Sequence, residues 1–472
     1  MPAIHGLAGI HGTGGTGGTG EPVAQIEFFG PRYWCAISGT SRRPEQAVER
    51  LQVAFRYAAV VVTTGKLPVL AIVQSAKSVS IFDFAQAAAD CCQIASVIDG
   101  ASSMTRVLRH LGPVIDITGL SDSDAVAKVR GLDPDGITTF LDADLPRTAA
   151  LADGLGLPFH SPEVAATLVD KNRQRQALQR AGLPGPRFLL VPPGDVGPDF
   201  LNGSLKFPVV VKPSAGAGSR ETTMVTDGLQ LIDAVARARV ADIGTMVVEE
   251  YLQDSVEAMA PDFASFVSVE SVIGGGQLRH LALMGKLPLA PPFRETGHFT
   301  PCHLPAAVVE DVLDVVTAAV HGMGIVIGSL HTEVKLTPDG PRIIEVNGRT
   351  GGAVHDVLSA AGGCSLIEAA MRVALGDIPS DEGLSPCNQV GYRINLQPPM
   401  TARKVCSIDG LAALRDLPGV VGVTVLREAG DPVNWRLGTD ELVVAVVGAV
   451  GSLDDLRSIR RLVDEMVSIS YE

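Results

Sequence analysis

Apolar residues recur along this chain with two different periods, and the changes of period mark its elements. From about Gln25 to Phe159, short apolar runs such as AAVVVTT and PVLAIVQ alternate with helix-like stretches such as SIFDFAQAAADCCQIA. That is the pattern of a parallel sheet covered by helices. DGITTFLDADLPRTAALADGLGLPF then supplies a buried strand, an acidic loop, an Ala-rich helix and a Gly-Leu-Pro stop. The first lobe therefore closes near residue 165. SPEVAATLVDKNRQRQALQRAGLPGP predicts one helix, capped by Ser161 and ended at Gly182 to Pro186.

Beyond that helix, FPVVVKPSAGAGSRETTMVTD predicts two strands around a loop of small residues, residues 228 to 239 a helix, and TMVVEEYLQD a strand with a short acidic connector. Phe263 to Leu289 is strand-rich, and PAAVVEDVLDVVTAAVHGMG is an amphipathic helix. GSLHTEVKLTPDGPRIIEVN reads as a hairpin about its Pro-Asp-Gly turn. Gly363 to Leu375 looks helical. From about Asn388 the pattern is strand-like again, with ELVVAVVGAV near the end and a last helix at LDDLRSIRRLVDEMV. Four parts follow: a flexible Gly-Thr-rich tail over 1–24, an N-terminal α/β domain over 25–165, a central domain over 166–380 and a small subdomain over 381–472. The central domain divides into a small lobe at about 186–252 and a larger one at about 253–380.

A length of 472 residues suits two or three cores. Hydrophobic residues at 46% and charged residues at 19% describe a globular chain, and 4% aromatics argue against stacking platforms for single-stranded nucleic acid. A net charge of −14 disfavours nucleic acid and anionic membranes as partners, while leaving room for a locally basic nucleotide pocket. The seven cysteines form no C-x-x-C pair and read as thiols of a reducing cytosol. No cationic start with an apolar run marks a signal peptide, and no uncharged apolar run reaches about 18 residues, so a cytoplasmic protein is expected. HGTGGTGGTGEP invites a phosphate-loop reading but lacks the preceding strand, the following helix and the lysine, which leaves a flexible tail.

The hairpin carries the first chemistry. Side chains two apart in a strand share a face, so His331, Glu333 and Lys335 lie together, as do Glu345, Asn347 and Arg349. A turn centred near Asp339 sets Glu333 opposite Glu345 and His331 opposite Asn347. Opposed carboxylates repel unless a positive charge lies between them or one is protonated. A Glu, Glu and Asn set suits hard Mg²⁺, which completes its shell with phosphates and water; the competing reading is a solvated face with a salt bridge to Lys335. Lys212 ends a buried strand and runs into Pro213 to Ser219, where small residues let backbone N–H groups approach an anion. The competing reading there is an ordinary hairpin loop. GKLPLAPPFRETGHFTP packs Arg294, Glu295 and His298 into a proline-rich loop, which is either a substrate loop or plain surface.

Taken in order, Lys171, Lys212, the small-residue loop, Glu249-Glu250 and the carboxylate hairpin resemble the ATP-grasp enzymes. The resemblance runs from about Asp135 to Leu375 and is nearest to the carboxylate–amine ligases that include the bacterial L-amino-acid (dipeptide) ligases; the remaining segments match only in general pattern. It implies a mixed α/β and α+β fold: an N-terminal Rossmann-like parallel α/β lobe, a two-lobed ATP-grasp core and a small C-terminal α+β subdomain. By resemblance, Lys171 and Lys212 touch ATP, and Gly216, Gly218 and Ser219 belong to the flexible loop over its phosphates. Glu249, Glu250, Tyr251 and Leu252 form the connector between lobes, with Glu249 accepting from the adenine amino group and the Tyr251 and Leu252 backbone reading the ring edge. Glu333, Glu345 and Asn347 fall on the metal positions, implying two Mg²⁺ ions, with Mn²⁺ as a substitute.

Arg349, which could otherwise pair with Glu345, would hold negative charge developing on transferred oxygens. Glu295 would meet a substrate ammonium with His298 nearby, and Gly351 and Gly352 would let an acyl intermediate approach the backbone. The implied reaction is carboxylate attack on the γ-phosphate followed by amine attack on the acyl phosphate, with small-molecule carboxylate and amine substrates and a homodimer by analogy. Two other functions keep part of this pattern: a purine-pathway or carboxylase-type enzyme with another acceptor, and a non-catalytic nucleotide sensor. AGAGSRETT departs from many relatives in having Arg220-Glu221 where they have a small or apolar pair, so Arg220 either joins the phosphates or pairs with Glu221.

Overall fold

The computed structural model describes residues 67–472 apart from 76–78, 101–104, 192–195, 198–199, 202, 256–259, 261 and 381–382, together with the backbone of 25–29 and 34–38. The Gly-Thr tail and the AAVVVTT run lie outside the described residues. The chain divides into two units, Met1–Val61 and Val62–Glu472. In the first, β1 (Gln25–Phe29) and β2 (Trp34–Ser38) pair antiparallel.

The second unit opens with β3 (Val69–Gln74), β4 (Gln93–Ile98), β5 (Val114–Asp116) and β6 (Gly136–Thr139), a parallel sheet of order β5-β4-β3-β6. Leu70 to Val73 are fully buried because both faces of this sheet are covered. The helix expected over SIFDFAQAAADCCQIA is shorter than its apolar pattern: it spans Ile81–Ala88, and β-branched Ile94, Val97 and Ile98 belong to β4 instead. The single helix expected after Ser161 is two, Pro162–Leu168 and Lys171–Arg180. Asp170 separates them: its backbone is extended and its Oδ1 accepts from the Arg173 N–H at 2.8 Å, so it caps the second helix.

A small antiparallel sheet follows, built from β7 (Phe188–Val191), β8 (Val209–Pro213), β9 (Thr223–Val225) and β10 (Met246–Glu250) in the order β7-β10-β8-β9. The helix Gly228–Val240 buries Leu231, Ala234, Val235 and Ala238 among Val209, Val211 and Val225 of this sheet. β11 (Phe266–Gly274), β12 (Gln277–Lys286), β13 (Gly297–Thr300), β14 (Gly328–Thr337) and β15 (Gly340–Asn347) form most of a larger sheet. Three later strands extend it: β16 (Val390–Leu396), β18 (Val420–Val425) and β19 (Val444–Val450) complete the order β15-β14-β11-β12-β13-β16-β19-β18. β17 (Val405–Asp409) and β20 (Ser468–Tyr471) pair separately.

The helix Ala306–Gly322 turns Val312, Val315, Val316, Ala319 and Val320 inward, an i, i+3, i+4, i+7, i+8 stripe. That stripe shares one core with Val334, Ile343 and Val346 of the hairpin and with Val444, Val446 and Ile459 of the C-terminal residues. The helix Leu366–Ala374 packs Ile367, Ala370 and Met371 against Leu70, Ile72 and Phe84 of the parallel lobe, which holds the end of β6 beside the large sheet. Among the described residues, no helix is long and apolar enough to cross a membrane.

Two histidines lie in this framework. His280 has its Nδ1 2.8 Å from Ser271 Oγ and its Nε2 2.9 Å from Thr317 Oγ1, while His160 packs beneath the large sheet against Gly328 and Gly348. Burial pulls each imidazole down from 6.5 to about 4. Their neutral forms therefore favour folding above pH 6.5, and that contribution is lost as pH falls toward 4. Between pH 7 and 5 each histidine should remove about 1–2 kcal/mol of stability. Urea denaturation of the wild type and of His280→Asn at both pH values checks this, with the variant expected to lose less on acidification. An identical loss in the two proteins would show that His280 titrates as it does in the unfolded chain.

Candidate active site

The β14–β15 hairpin pairs His331 with Asn347 and Glu333 with Glu345, as its alternation and turn predict. One irregularity was not legible: Val334 pairs with Ile343, so Ile344 is an extra residue on β15 and bulges the strand there. Glu333 and Glu345 both line a cleft of about 1510 Å³. Their repulsion is met by two cations. Lys171 Nζ lies 2.9 Å from Glu345 Oε1, and His331 Nε2 lies 3.6 Å from Glu333 Oε1. Asn347, expected beside the carboxylates, instead donates its amide to the His331 carbonyl at 3.3 Å and is not among the cleft-lining residues.

His331 is itself clamped from behind by Glu270, whose Oε1 is 2.5 Å from Nδ1. Burial opposes the charged imidazole, yet the charge and hydrogen bond of Glu270, with Glu333 on the other nitrogen, push it up to about 9. Glu333 responds in kind: burial raises its pKa, but His331, Lys286 and Lys212 outweigh that and hold it at about 2. The other Glu270 oxygen accepts from the Gly351 N–H at 2.9 Å. A Cβ at Gly351 would lie 2.6 Å from His331 Nδ1, so glycine is required there by close approach. Gly352, by contrast, borders open space.

The lysine-and-loop end of the cleft is assembled around the start of the helix Lys171–Arg180. Lys171 N donates to Ser214 O at 2.8 Å, Ser214 Oγ donates to Asp170 Oδ2 at 2.9 Å, and Lys171 Nζ donates to Gly216 O at 2.6 Å. These bonds fix the small-residue loop to the helix cap. Glu249 is 4% exposed and lies between two cations, with Oε2 2.8 Å from Lys212 Nζ and Oε1 2.8 Å from Arg175 Nε. Burial opposes its charge, and the two cations more than offset this, holding the carboxyl at about 2. The carboxylate expected to meet an adenine amino group thus anchors Lys212. Glu250 is held by Arg187 and Arg342 at 2.9 and 3.0 Å, and Tyr251 and Leu252 continue along the cleft wall. Glu221 pairs with Arg436 at 3.8 Å and not with Arg220.

At the other end, Lys286 is 1% exposed and its Nζ lies 2.7 Å from Glu295 Oε1. His298 is 2% exposed, with Nε2 3.4 Å from Ala353 O and no protein partner for Nδ1. Burial first, then the Lys286 and Arg393 cations, hold its pKa well below the usual value, so it is neutral. Arg349 does not pair with Glu345: Nε and Nη2 lie 2.9 and 2.6 Å from Asp142 Oδ2, in the loop after β6. Asp142, Glu270 and Lys286 were thus missed as site residues. The signals available were an acid in the loop after a buried strand, the single charge Glu270 inside the apolar run of β11, and a lysine directly after the apolar LALMG of β12.

Residues 205–356 match the ATP-grasp domain family. This match takes in most of the small sheet and most of the large one, and over a longer stretch the chain resembles carboxylate–amine ligases. It is 30% identical over 270 residues to carnosine synthase 1 of Gallus gallus, covering 53% of this chain and 28% of that protein. It is 26% identical over 243 residues to the alanine–anticapsin ligase of Bacillus subtilis, covering 48% of this chain and 50% of that one. The chain therefore spans half or less of these relatives' lengths. The L-amino acid ligase of Bacillus licheniformis shares the fold over 86% of this chain and 100% of its own, with a TM-score of 0.68 at 22% identity.

Because Glu249 is the shared counter-ion of Lys212 and Arg175, replacing it by glutamine leaves two buried cations uncompensated. Glu249→Gln should cost about 3–5 kcal/mol in urea denaturation at pH 7. A loss below about 1 kcal/mol would mean that the two cations find other partners or lose their charge.

Proposed function

We propose that this chain is an ATP-dependent ligase that joins the carboxylate of an amino acid or similar molecule to an amine, through an acyl phosphate, with release of ADP and phosphate. The observation that carries the reading is that the lysine-and-loop end, the opposed carboxylates and the Glu295–His298 loop line one cleft. A site for nucleotide alone has no need of the last group. The ligase relatives point the same way.

Lys171, Lys212 and the loop containing Gly216, Gly218 and Ser219 would hold the ATP phosphates, with Glu250 to Leu252 of the connector along the adenine and Glu249 anchoring Lys212. Glu333 and Glu345 fit a magnesium site by their chemistry: two hard carboxylates face each other in the cleft, and Lys171 and His331 are the cations that balance them in the free protein. Among the described residues no three His, Cys, Asp or Glu side chains gather to hold a metal, so most of its shell would come from phosphates and water. Bound there, Mg²⁺ would neutralise phosphate charge.

The substrate carboxylate oxygen attacks the γ-phosphorus, the bond to ADP breaks, and ADP leaves with that electron pair. The amine then attacks the acyl carbon; the C–N bond forms, phosphate departs with the C–O pair, and one proton is released. Arg349, fixed by Asp142 at Nε and Nη2 and by the Thr350 carbonyl at Nη1, would turn its remaining guanidinium N–H groups to the charge that develops on these oxygens. Neutral His298 and the Lys286–Glu295 pair form the amine end, with Glu295 as the partner for an ammonium. Gly352 gives the acyl group room against the backbone, while Gly351 admits the His331–Glu270 pair beside it.

Phosphate release from ATP and Mg²⁺ across single amino acids and amino-acid pairs, with mass spectrometry of the products, tests this reading. Phosphate is expected only with particular combinations, together with a new amide mass. Silence across the whole panel would move the carboxylate outside the amino acids, and silence without ATP binding would defeat the proposal. Glu345→Gln should lower phosphate release by at least about 100-fold in a variant that remains folded by circular dichroism; near-normal release by the folded variant would remove the metal assignment.

A further inference from the structure

The phosphate loop and the amine loop are far apart in sequence, yet one short C-terminal segment touches both. Residues 434–442 lie between β18 and β19, and Trp435–Glu441 is helical except at Gly438, whose φ is 84°. On one side, Thr439 N donates to Gly218 O at 2.8 Å, and Glu221 N donates to Arg436 O at 2.8 Å. A Cβ at Gly438 would lie 2.0 Å from Gly218 O, so only glycine permits this approach. On the other side, Thr439 Oγ1 accepts from Glu295 N at 3.1 Å. Gln397 Nε2 closes the link, donating to Thr439 O and to Glu295 O, both at 2.9 Å.

The segment has a fixed base. Both Glu441 oxygens are engaged, one by Arg427 Nη2 at 2.8 Å and one by the Asn434 N–H at 2.9 Å. The loop it grips is held in an unusual backbone: Gly218, Ser219 and Glu221 all have φ between 52° and 67°. A non-glycine residue keeps such a φ only when its surroundings over-determine it. The main-chain bonds from residues 436 and 439 supply that determination at both ends of the Ser219–Arg220 pair. The same Thr439 that fixes the loop by its N–H fixes Glu295 by its hydroxyl.

We propose that residues 436–439 form a strap that couples the pose of the nucleotide-phosphate loop to the pose of the amine-substrate loop, with Thr439 as its positioning residue. The proposal rests on the ligase reading for the identity of the two loops. Closure of residues 214–222 over a nucleotide then orders Glu295, and the amine end is completed only when the phosphate end is filled. This makes C-terminal residues, outside the 205–356 match, part of the working site.

Amide hydrogen exchange of the full chain, with and without a non-hydrolysable ATP analogue and Mg²⁺, tests the strap. In the wild type the analogue should slow exchange at 214–222 and also at 293–297. Thr439→Val removes the acceptor for Glu295 N, and Gln397→Met removes the bridge from Thr439 O to Glu295 O; in the double variant the analogue should slow 214–222 only, and Thr439→Ser beside Gln397→Met should recover a response at 293–297. Equal slowing at 293–297 in wild type and double variant overturns the coupling, as does a wild type in which 214–222 responds and 293–297 does not. A wild type in which the analogue changes exchange nowhere defeats the ligase reading, and the coupling with it.

Discussion

Everything in the cleft depends on a buried carboxylate that two cations share. Glu249 lies near the end of β10, Lys212 on the neighbouring β8 two positions along from the residue opposite Glu249, and Arg175 on the helix Lys171–Arg180, so one ion cluster joins the small sheet to that helix. Arg175 extends the connection by donating to Ile344 O at 2.6 Å. Ile344 is the bulged residue of β15, where the ladder is locally disrupted. Gln174 sits one residue away and makes a reciprocal pair of 2.9 Å bonds with the Val346 backbone. The helix that presents Lys171 is thus sewn to the strand that presents Glu345. Removing charge from such a cluster is costly because what remains is an unpaired ion in a medium that solvates it poorly.

Charge balance follows the same logic through the rest of the site. Glu345 has Lys171, Glu270 and Glu333 share His331, Glu295 has Lys286, and Arg349 has Asp142. An acidic protein can therefore present a cleft in which opposite charges alternate over short distances. A polyanion with its metal ions would exchange partners with these groups and not simply add charge to them.

What the sequence disclosed depended on the range of the interaction. The Glu333–Glu345 register was readable because a period of two and a Pro-Asp-Gly turn define it within twenty residues. The division of the helix at Asp170 was a local event that the apolar pattern hid: Leu168 and Leu178 are both buried, and only the cap shows the break. Asp142 was out of reach because its partner Arg349 is 207 residues away, and nothing local to DADLP says which cation it meets. ELVVAVVGAV was plainly a strand, but its sheet was not predictable. Its membership follows from GHFT, four residues inside a proline-rich stretch that form β13 and pair with β16.

That four-residue strand bears on how such a chain could have been assembled over evolutionary time. The recognisable domain ends at residue 356, but backbone hydrogen bonding runs on without interruption from β12 through β13 to β16 and β19. A recombination event with a breakpoint near residue 380 would deliver a sheet with a bare edge at Gly297–Thr300 and a core missing Val444, Val446 and Ile459. The matched domain and the C-terminal residues thus share one sheet and one core, and a cut between them would leave both parts with unpaired edges and exposed apolar surface.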